Sequence, residues 1–410
     1  MTDRQISIAM LSAHSCPLGD IGAKDTGGMS IYIRELAREI GQRGHSVDVY
    51  TRVHDPNDEQ IYSLGRNARL IHLNASDNLE INKLALYSHL PDFACNLENF
   101  RKCHDLHYDL IFSHYWLSGW AGRYLQCWWH VPHIITFHTL GAVKNSIGIG
   151  EDEPELRIET ERDLVKNCQR IIATTEREKG ELIRHYGAGG EKISVVPCGV
   201  NLDLFKPIDR ASARRELGLD GMPIIVFAGR IDPLKGIDQL LCAMTYLENG
   251  YRPRLLIIGG DEHSQGEMAR LKRLARDLKI GSSCSFLGRI EHEKLPYFYS
   301  AASACIVPSY YENFGLVAIE SLACGTPVVA TDVGNLRGII RQGETGYVVK
   351  DNSPRELAGG IDILLARPEP SRQSVLAIRS SVAGFSWANI ARSVIAECRT
   401  ELVNYAARVS

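Results

Sequence analysis

Residues 304–331 read ACIVPSYYENFGLVAIESLACGTPVVAT. Two apolar runs, ACIVPS and PVVATD, flank a helical segment over 316–324. Strands joined through a helix lie parallel and are covered by helices, so such strands read as continuous apolar runs rather than alternating ones. Upstream of this unit the pattern repeats. PIIVFAG, RLLIIGG and CSFLG read as strands, and 237–247, 266–278 and 295–302 read as helices. The first half follows the same grammar with ISIAML, VDVYTR, LIHLN, DLIFSH, HIITFHT, RIIATT and KISVVP. A helix over 28–44 is marked by Ile33, Leu36, Ala37 and Ile40 at three- and four-residue spacing, with Gly44 at its end. This alternation specifies an α/β fold with parallel sheets.

The stretch PCGVNLDLFKPIDRASARRELGLDGMP (197–223) has no core strand and divides the two halves. The expected first domain is 1–205 and the second 206–386. The tail from 387 reads as one last helix that completes the first domain. A length of 410 residues is ample for two cores. The net charge of -3 argues against a nucleic-acid binder. No apolar run reaches the ~18–20 residues needed to span a bilayer, and no basic stretch followed by an apolar one marks a leader. The eleven cysteines form no C-x-x-C pair and no zinc-spaced cluster. They read as free thiols of a cytoplasmic protein with no bound metal.

In open α/β sheets ligands bind beyond the C-terminal ends of the strands. Five loops carry chemistry there. HSCPLGDIGAKDTGGMS (14–30) opens a helix with Gly27 and Gly28, where backbone N–H groups attract phosphate. FAGRIDPLKG (227–236) brings Arg230 and Lys235 together, a pair suited to a diphosphate. In SYYENFGLVAIES, Glu312 precedes the helix entry Asn313, Phe314, Gly315 and Leu316, whose N–H groups face outward. Glu320 lies within an apolar helix, where an unpaired charge is costly. ITFHT ends in His138 and Thr139, and FSHYW in His114, Tyr115 and Trp116. There is no G-x-S-x-G elbow and no phosphate-binding G-x-x-x-x-G-K-[ST] loop, which argues against acyl transfer and ATP-driven chemistry.

Taken together, E-x7-E (Glu312 to Glu320), FAGR-x4-KG and the DTGGM loop resemble glycosyltransferase family 4 over about residues 5–390. That resemblance implies the GT-B fold, two Rossmann-like domains facing across a cleft, and transfer of a hexosyl group with retained anomeric configuration. It implies that Arg230 and Lys235 hold the donor diphosphate and that Glu320 binds the ribose. Glu312 and the backbone of Phe314, Gly315 and Leu316 would hold the sugar and its phosphates. Gly28 would approach the donor phosphate from the first domain, and His138 would touch the donor sugar. The acceptor hydroxyl would attack from the face the diphosphate leaves, so the work of the chain is positioning and charge stabilisation.

Within the family the first half resembles two branches, the inositol-phosphate glycosyltransferases of mycothiol synthesis and the sucrose-phosphate synthases. Lys83, Tyr115, Thr139 and Arg157 match positions that clasp an acceptor phosphate in the first branch. Ser30 and Met29 depart from the two branches, and both departures are expected on the acceptor side. The implied co-substrates are a nucleotide sugar, UDP-glucose or UDP-N-acetylglucosamine before GDP-mannose, and a small, phosphorylated acceptor, with no resident cofactor. A sucrose-phosphate synthase activity, a glycan- or lipid-directed transferase, a UDP-sugar epimerase and a non-catalytic sugar-nucleotide sensor stay open at this point. The sequence is also compatible with a homodimer.

Overall fold

The structure is a computed structural model that describes residues 4–19, 26–76, 81–219, 221–248 and 253–409. Asp25 of the DTGGM loop lies outside the described residues. Two sheets organise the chain. The first contains β1 (Ser7–Leu11), β2 (Ser46–Arg52), β3 (Ile61–Gly65), β4 (Ala68–Leu73), β5 (Leu110–His114), β6 (His133–Thr136), β7 (Arg170–Ala173) and β8 (Ile193–Val195). Their spatial order is β3-β4-β2-β1-β5-β6-β7-β8. The second contains β9 (Ile224–Ala228), β10 (Arg254–Ile258), β11 (Cys284–Gly288), β12 (Ala304–Val307), β13 (Val328–Thr331) and β14 (Gly346–Val349). Their order is β11-β10-β9-β12-β13-β14. The strand pairs are parallel, except that β3 runs antiparallel to β4 at the edge.

The central strands β1, β5, β9 and β12 are buried along nearly their whole length, as their unbroken apolar sequences require. Two strands escaped the sequence reading. Both are edge strands, β3 with the half-exposed sequence IYSLG and β14 with GYVV. Order reverses between β1 and β5 in the first sheet and between β9 and β12 in the second. A crevice opens at such a switch point, so the loops after these strands face it.

The helix Trp387–Val409 returns to the first sheet and packs against the helix Gly28–Gln42. The Arg43 guanidinium donates to the Ala388 carbonyl at 2.9 Å, and the Tyr32 and Trp387 rings meet edge to face at 5.5 Å. Farther along, the Ser194 hydroxyl donates to Glu397 and Arg170 to the buried Glu401. The two halves also touch directly. A Cβ on Gly28 would lie 2.9 Å from Leu316 Cδ1, so the starts of two helices, one from each half, approach as closely as a glycine permits. Arg177 of the first half donates to the Asp332 carbonyl of the second at 2.9 Å. Tyr311 packs onto the first-half core.

Candidate active site

One cavity of about 440 Å³ lies between the halves, within the ~300–1,000 Å³ usual for small-molecule sites. Most residues that the sequence singled out line it: Gly28, Lys83, Tyr115, His138, Thr139 and Arg157 from the first half, with Arg230, Lys235, Glu312, Phe314, Gly315, Leu316 and Glu320 from the second, whereas His114 and Trp116 are buried behind the wall. Strand ends and helix starts bring them together from positions far apart in the chain. Ser30 is not among the lining residues. Its buried hydroxyl bonds the Ser15 hydroxyl at 2.7 Å and so ties the loop after β1 to the following helix. Ser30 thus packs behind the wall, whereas Met29 lines the cavity.

On the second-half wall, the turn Pro233–Lys235 follows β9 and is capped by Asp232, which accepts from the Leu234 N–H at 2.9 Å. This cap holds Lys235 at the mouth of β9. Lys235 Nζ donates to Glu312 Oε1 at 2.5 Å, and the Ser309 hydroxyl donates to the same oxygen at 2.8 Å. Arg230 is half exposed, with Asp232 its nearest carboxylate at 3.6 Å, so its guanidinium can swing onto a ligand. Gly315 has φ 102° and starts the helix Leu316–Ala323; a Cβ there would meet Leu336 Cδ2 at 2.6 Å. Only glycine fits, and the N–H groups that follow are left facing the cavity.

Glu320 has the partners its burial demands. Its Oε1 meets His292 Nε2 at 3.0 Å, and its Oε2 accepts from the Tyr299 hydroxyl at 3.0 Å. Burial pushes the His292 pKa down, but the bond to Glu320 and its charge prevail and hold it above the ordinary value. A hydrogen-bonded histidine–carboxylate pair therefore sits beneath the helix start. His292 and Tyr299 were not anticipated from sequence, although a buried carboxylate implied some partner.

The first-half wall is differently built. Tyr115 (φ 75°) and His138 (φ 61°) both adopt the left-handed conformation at strand ends. For Tyr115 this is strain of roughly 1–3 kcal/mol, held by its packing. The Arg157 guanidinium lies 4.9 Å from its ring centroid, Lys83 Nζ 5.9 Å, and the His14 ring 4.5 Å. Arg157 is 1% exposed and bonded throughout. Its Nε donates to Glu161 at 2.7 Å, its Nη1 pairs with Glu153 at 2.8 Å, and its Nη2 donates to the Thr139 carbonyl at 2.9 Å and hydroxyl at 3.0 Å. Thus Thr139 and Arg157 are brought together as expected, but Arg157 is saturated by the protein itself. His138 Nε2 meets His114 Nδ1 at 3.0 Å. Burial pushes the His138 pKa down to about 3 and drives His14 and His114 well below the ordinary value, so this wall presents neutral imidazoles. His14, Lys144 and Glu153 are lining residues the sequence reading missed.

Comparison with known proteins agrees with this geometry. The model for glycosyltransferase family 4 matches residues 26–204, and that for glycosyl transferases group 1 matches 209–378. A D-inositol 3-phosphate glycosyltransferase of Geodermatophilus obscurus is 38% identical over 95% of this chain and 88% of its own. The solved structure of sucrose-phosphate synthase from Thermosynechococcus elongatus is 36% identical, with a TM-score of 0.89 over 98% of this chain and 100% of that one. HepE of Anabaena, solved with UDP and glucose, shares the fold at 17% identity, with a TM-score of 0.74 over 97% of this chain and 100% of that one. Among the described residues, no helix is long and apolar enough to cross a membrane. With its GT-B fold and its two matched halves, the chain belongs to the glycosyltransferases of family 4 and group 1 and is a glycosyltransferase.

Proposed function

We propose that the protein moves a hexosyl group, with retention, from UDP-glucose or UDP-N-acetylglucosamine to a hydroxyl of a phosphorylated sugar or inositol phosphate. The observation that carries this reading is the shared cavity, with cations and a helix start on one wall and a cationic, aromatic cluster on the other. The names of the relatives point the same way: one acts on D-inositol 3-phosphate and another makes sucrose phosphate.

In this reading Arg230 and Lys235 neutralise the departing diphosphate, aided by the N–H groups after Gly315. Glu320, fixed by His292 and Tyr299, receives the ribose. Neutral His138 hydrogen-bonds the donor sugar without adding charge near the reacting carbon. Glu312 keeps Lys235 oriented and meets sugar hydroxyls. Lys83, Tyr115, Thr139 and Arg157 clasp the acceptor phosphate. Charge stabilisation comes from side chains and backbone, so transfer needs no resident metal, and chelation with EDTA should leave the rate unchanged. We place the activity in the cytoplasm, in keeping with eleven free cysteines, six of them buried.

The deciding experiment measures nucleotide diphosphate release from UDP-glucose, UDP-N-acetylglucosamine and GDP-mannose, each with and without inositol phosphate or fructose 6-phosphate. Release that depends on one UDP-sugar and one phosphorylated acceptor is the expected result. Release with an unphosphorylated acceptor alone would overturn the phosphoacceptor reading. Conversion of the sugar without release would mean an epimerase.

A further inference from the structure

Arg157 carries two carboxylates of unlike character. Glu161 is fully buried and permanently engaged: it accepts from Arg157 Nε, from the Gly141 N–H at 3.0 Å and from the Tyr186 hydroxyl. Glu153 is 17% exposed and lines the cavity. Its carboxylate bridges Arg157 Nη1 and Lys144 Nζ. Burial pushes its pKa up, but Arg157 and Lys144 prevail and hold it below the ordinary range, so it is an anion at neutral pH. One counter-charge is therefore structural and the other faces the site.

The backbone shows how Glu153 can move. Its N–H donates to Asn145 Oδ1 at 2.7 Å and its carbonyl accepts from Asn145 Nδ2 at 3.0 Å. This reciprocal pair anchors the main chain whatever the side chain does. Rotation about the side-chain bonds alone carries the carboxylate from the two cations to solvent. The same cations, beside Thr139 and the Tyr115 ring, form a seat for a tetrahedral oxyanion.

Resting on the phosphoacceptor reading above, we propose that Glu153 is a displaceable internal anion that occupies the seat on Lys144 and Arg157 and is exchanged for the acceptor's phosphate. The exchange sets a charge threshold. A neutral sugar cannot replace a carboxylate on two cations, because it would leave both underpaired in a partly buried site. A phosphate monoester, with a charge of roughly -1.5 to -2 near neutral pH, can. Glu153 thus acts as a specificity-determining residue that favours phosphorylated over unphosphorylated acceptors and keeps Arg157 compensated between turnovers.

The test is titration calorimetry of the full chain with inorganic phosphate. Glu153→Gln keeps the size and removes the competing charge. It should bind phosphate about tenfold more tightly than the unaltered protein, the factor that corresponds to ~1.4 kcal/mol. Lys144→Met should bind it more weakly than the unaltered protein. Equal or weaker phosphate binding by Glu153→Gln would overturn the proposal. A separate readout distinguishes it from the functional reading. If Glu153→Gln tightens phosphate while the unaltered protein transfers to no phosphorylated acceptor, the exchange stands and the assigned acceptor class falls. In an active enzyme, Glu153→Gln should also lower the KM for the phosphorylated acceptor with little change in kcat, a split that a merely structural role would not produce.

Discussion

The two walls of the cleft solve the same problem, placing charge beside a cavity, in opposite ways. The second-half wall ties its cations down lightly: Arg230 is half exposed, and Lys235 pairs with one Glu312 oxygen that Ser309 also shares. The first-half wall saturates its central cation, since Arg157 is bonded through Nε, Nη1 and Nη2. The histidines differ in the same sense. Burial favours the neutral form of His14, His114 and His138, whereas Glu320 shifts His292 toward its protonated form. One wall leaves cationic groups within reach of an incoming anion. The other is a closed network whose central cation is already compensated by the protein.

The sharpest way to break this contrast is to remove its saturated cation. Arg157→Ala would leave Glu161 buried without its counter-charge, a change that costs roughly 3–5 kcal/mol. The expected outcome is a large loss of stability in urea unfolding, with the acceptor KM a secondary effect. If Arg157→Ala unfolds at an unchanged midpoint, the closed network is not what holds this wall.

Lys235→Ala should do the reverse, lowering turnover by about 10²–10³-fold, the usual effect of removing one preorganised charge stabiliser, with stability nearly intact. Initial-rate measurements at saturating donor and acceptor check this, and an unchanged kcat would remove Lys235 from the diphosphate site. Glu320→Gln should have a smaller effect. It weakens the bond to His292 and, in the proposed reading, the contact with ribose, raising the donor KM by about tenfold. The acceptor KM should stay fixed, and a change in the acceptor KM alone would misplace Glu320.

The sequence made the fold legible wherever strands are buried on both faces. ACIVPS, PIIVFAG and DLIFSH are unbroken apolar runs because each lies at the centre of a sheet. It hid β3 and β14, partly exposed edge strands whose sequences IYSLG and GYVV lack that signature. The site was legible where chemistry sits at a strand end or helix start, as at Lys235, Glu312, Gly315 and His138. It was not legible where function depends on pairing across the fold. Burial of Glu320 implied a partner, yet nothing in EHEKLPYFYS marks His292 and Tyr299 as that partner. Likewise Arg157 read as a free phosphate ligand, because its saturation by Glu153, Glu161 and Thr139 appears only when two loops and a helix meet. Gly28 read as a phosphate contact, and what the structure shows there is the close approach of Leu316.

The smallest effect per group, summed over several groups, separates the halves most cleanly. His54 is held down to about 4 by burial and Arg52, and His133 and His138 down to about 3, chiefly by burial. With His14 and His114 they all lie in the first half. An unfolded histidine takes up its proton near pH 6.5, whereas these five remain neutral while folded. The unfolded state therefore binds more protons as pH falls below about 6.5, and folding weakens by ~1.4 kcal/mol per pH unit for each such group. His292 has the opposite sign. Its raised folded value adds stability that is fully present below the unfolded pKa and is lost as pH rises through the folded one. The first half should thus fail first on acidification. Four of the five tryptophans, Trp116, Trp120, Trp128 and Trp129, report on it by fluorescence. Urea unfolding followed this way should show stability falling steadily from pH 7 to pH 5. His133→Asn should flatten that slope by about one histidine's share. A slope unchanged by His133→Asn would show that its imidazole is not held neutral, and the first half would lose that share of its expected acid sensitivity.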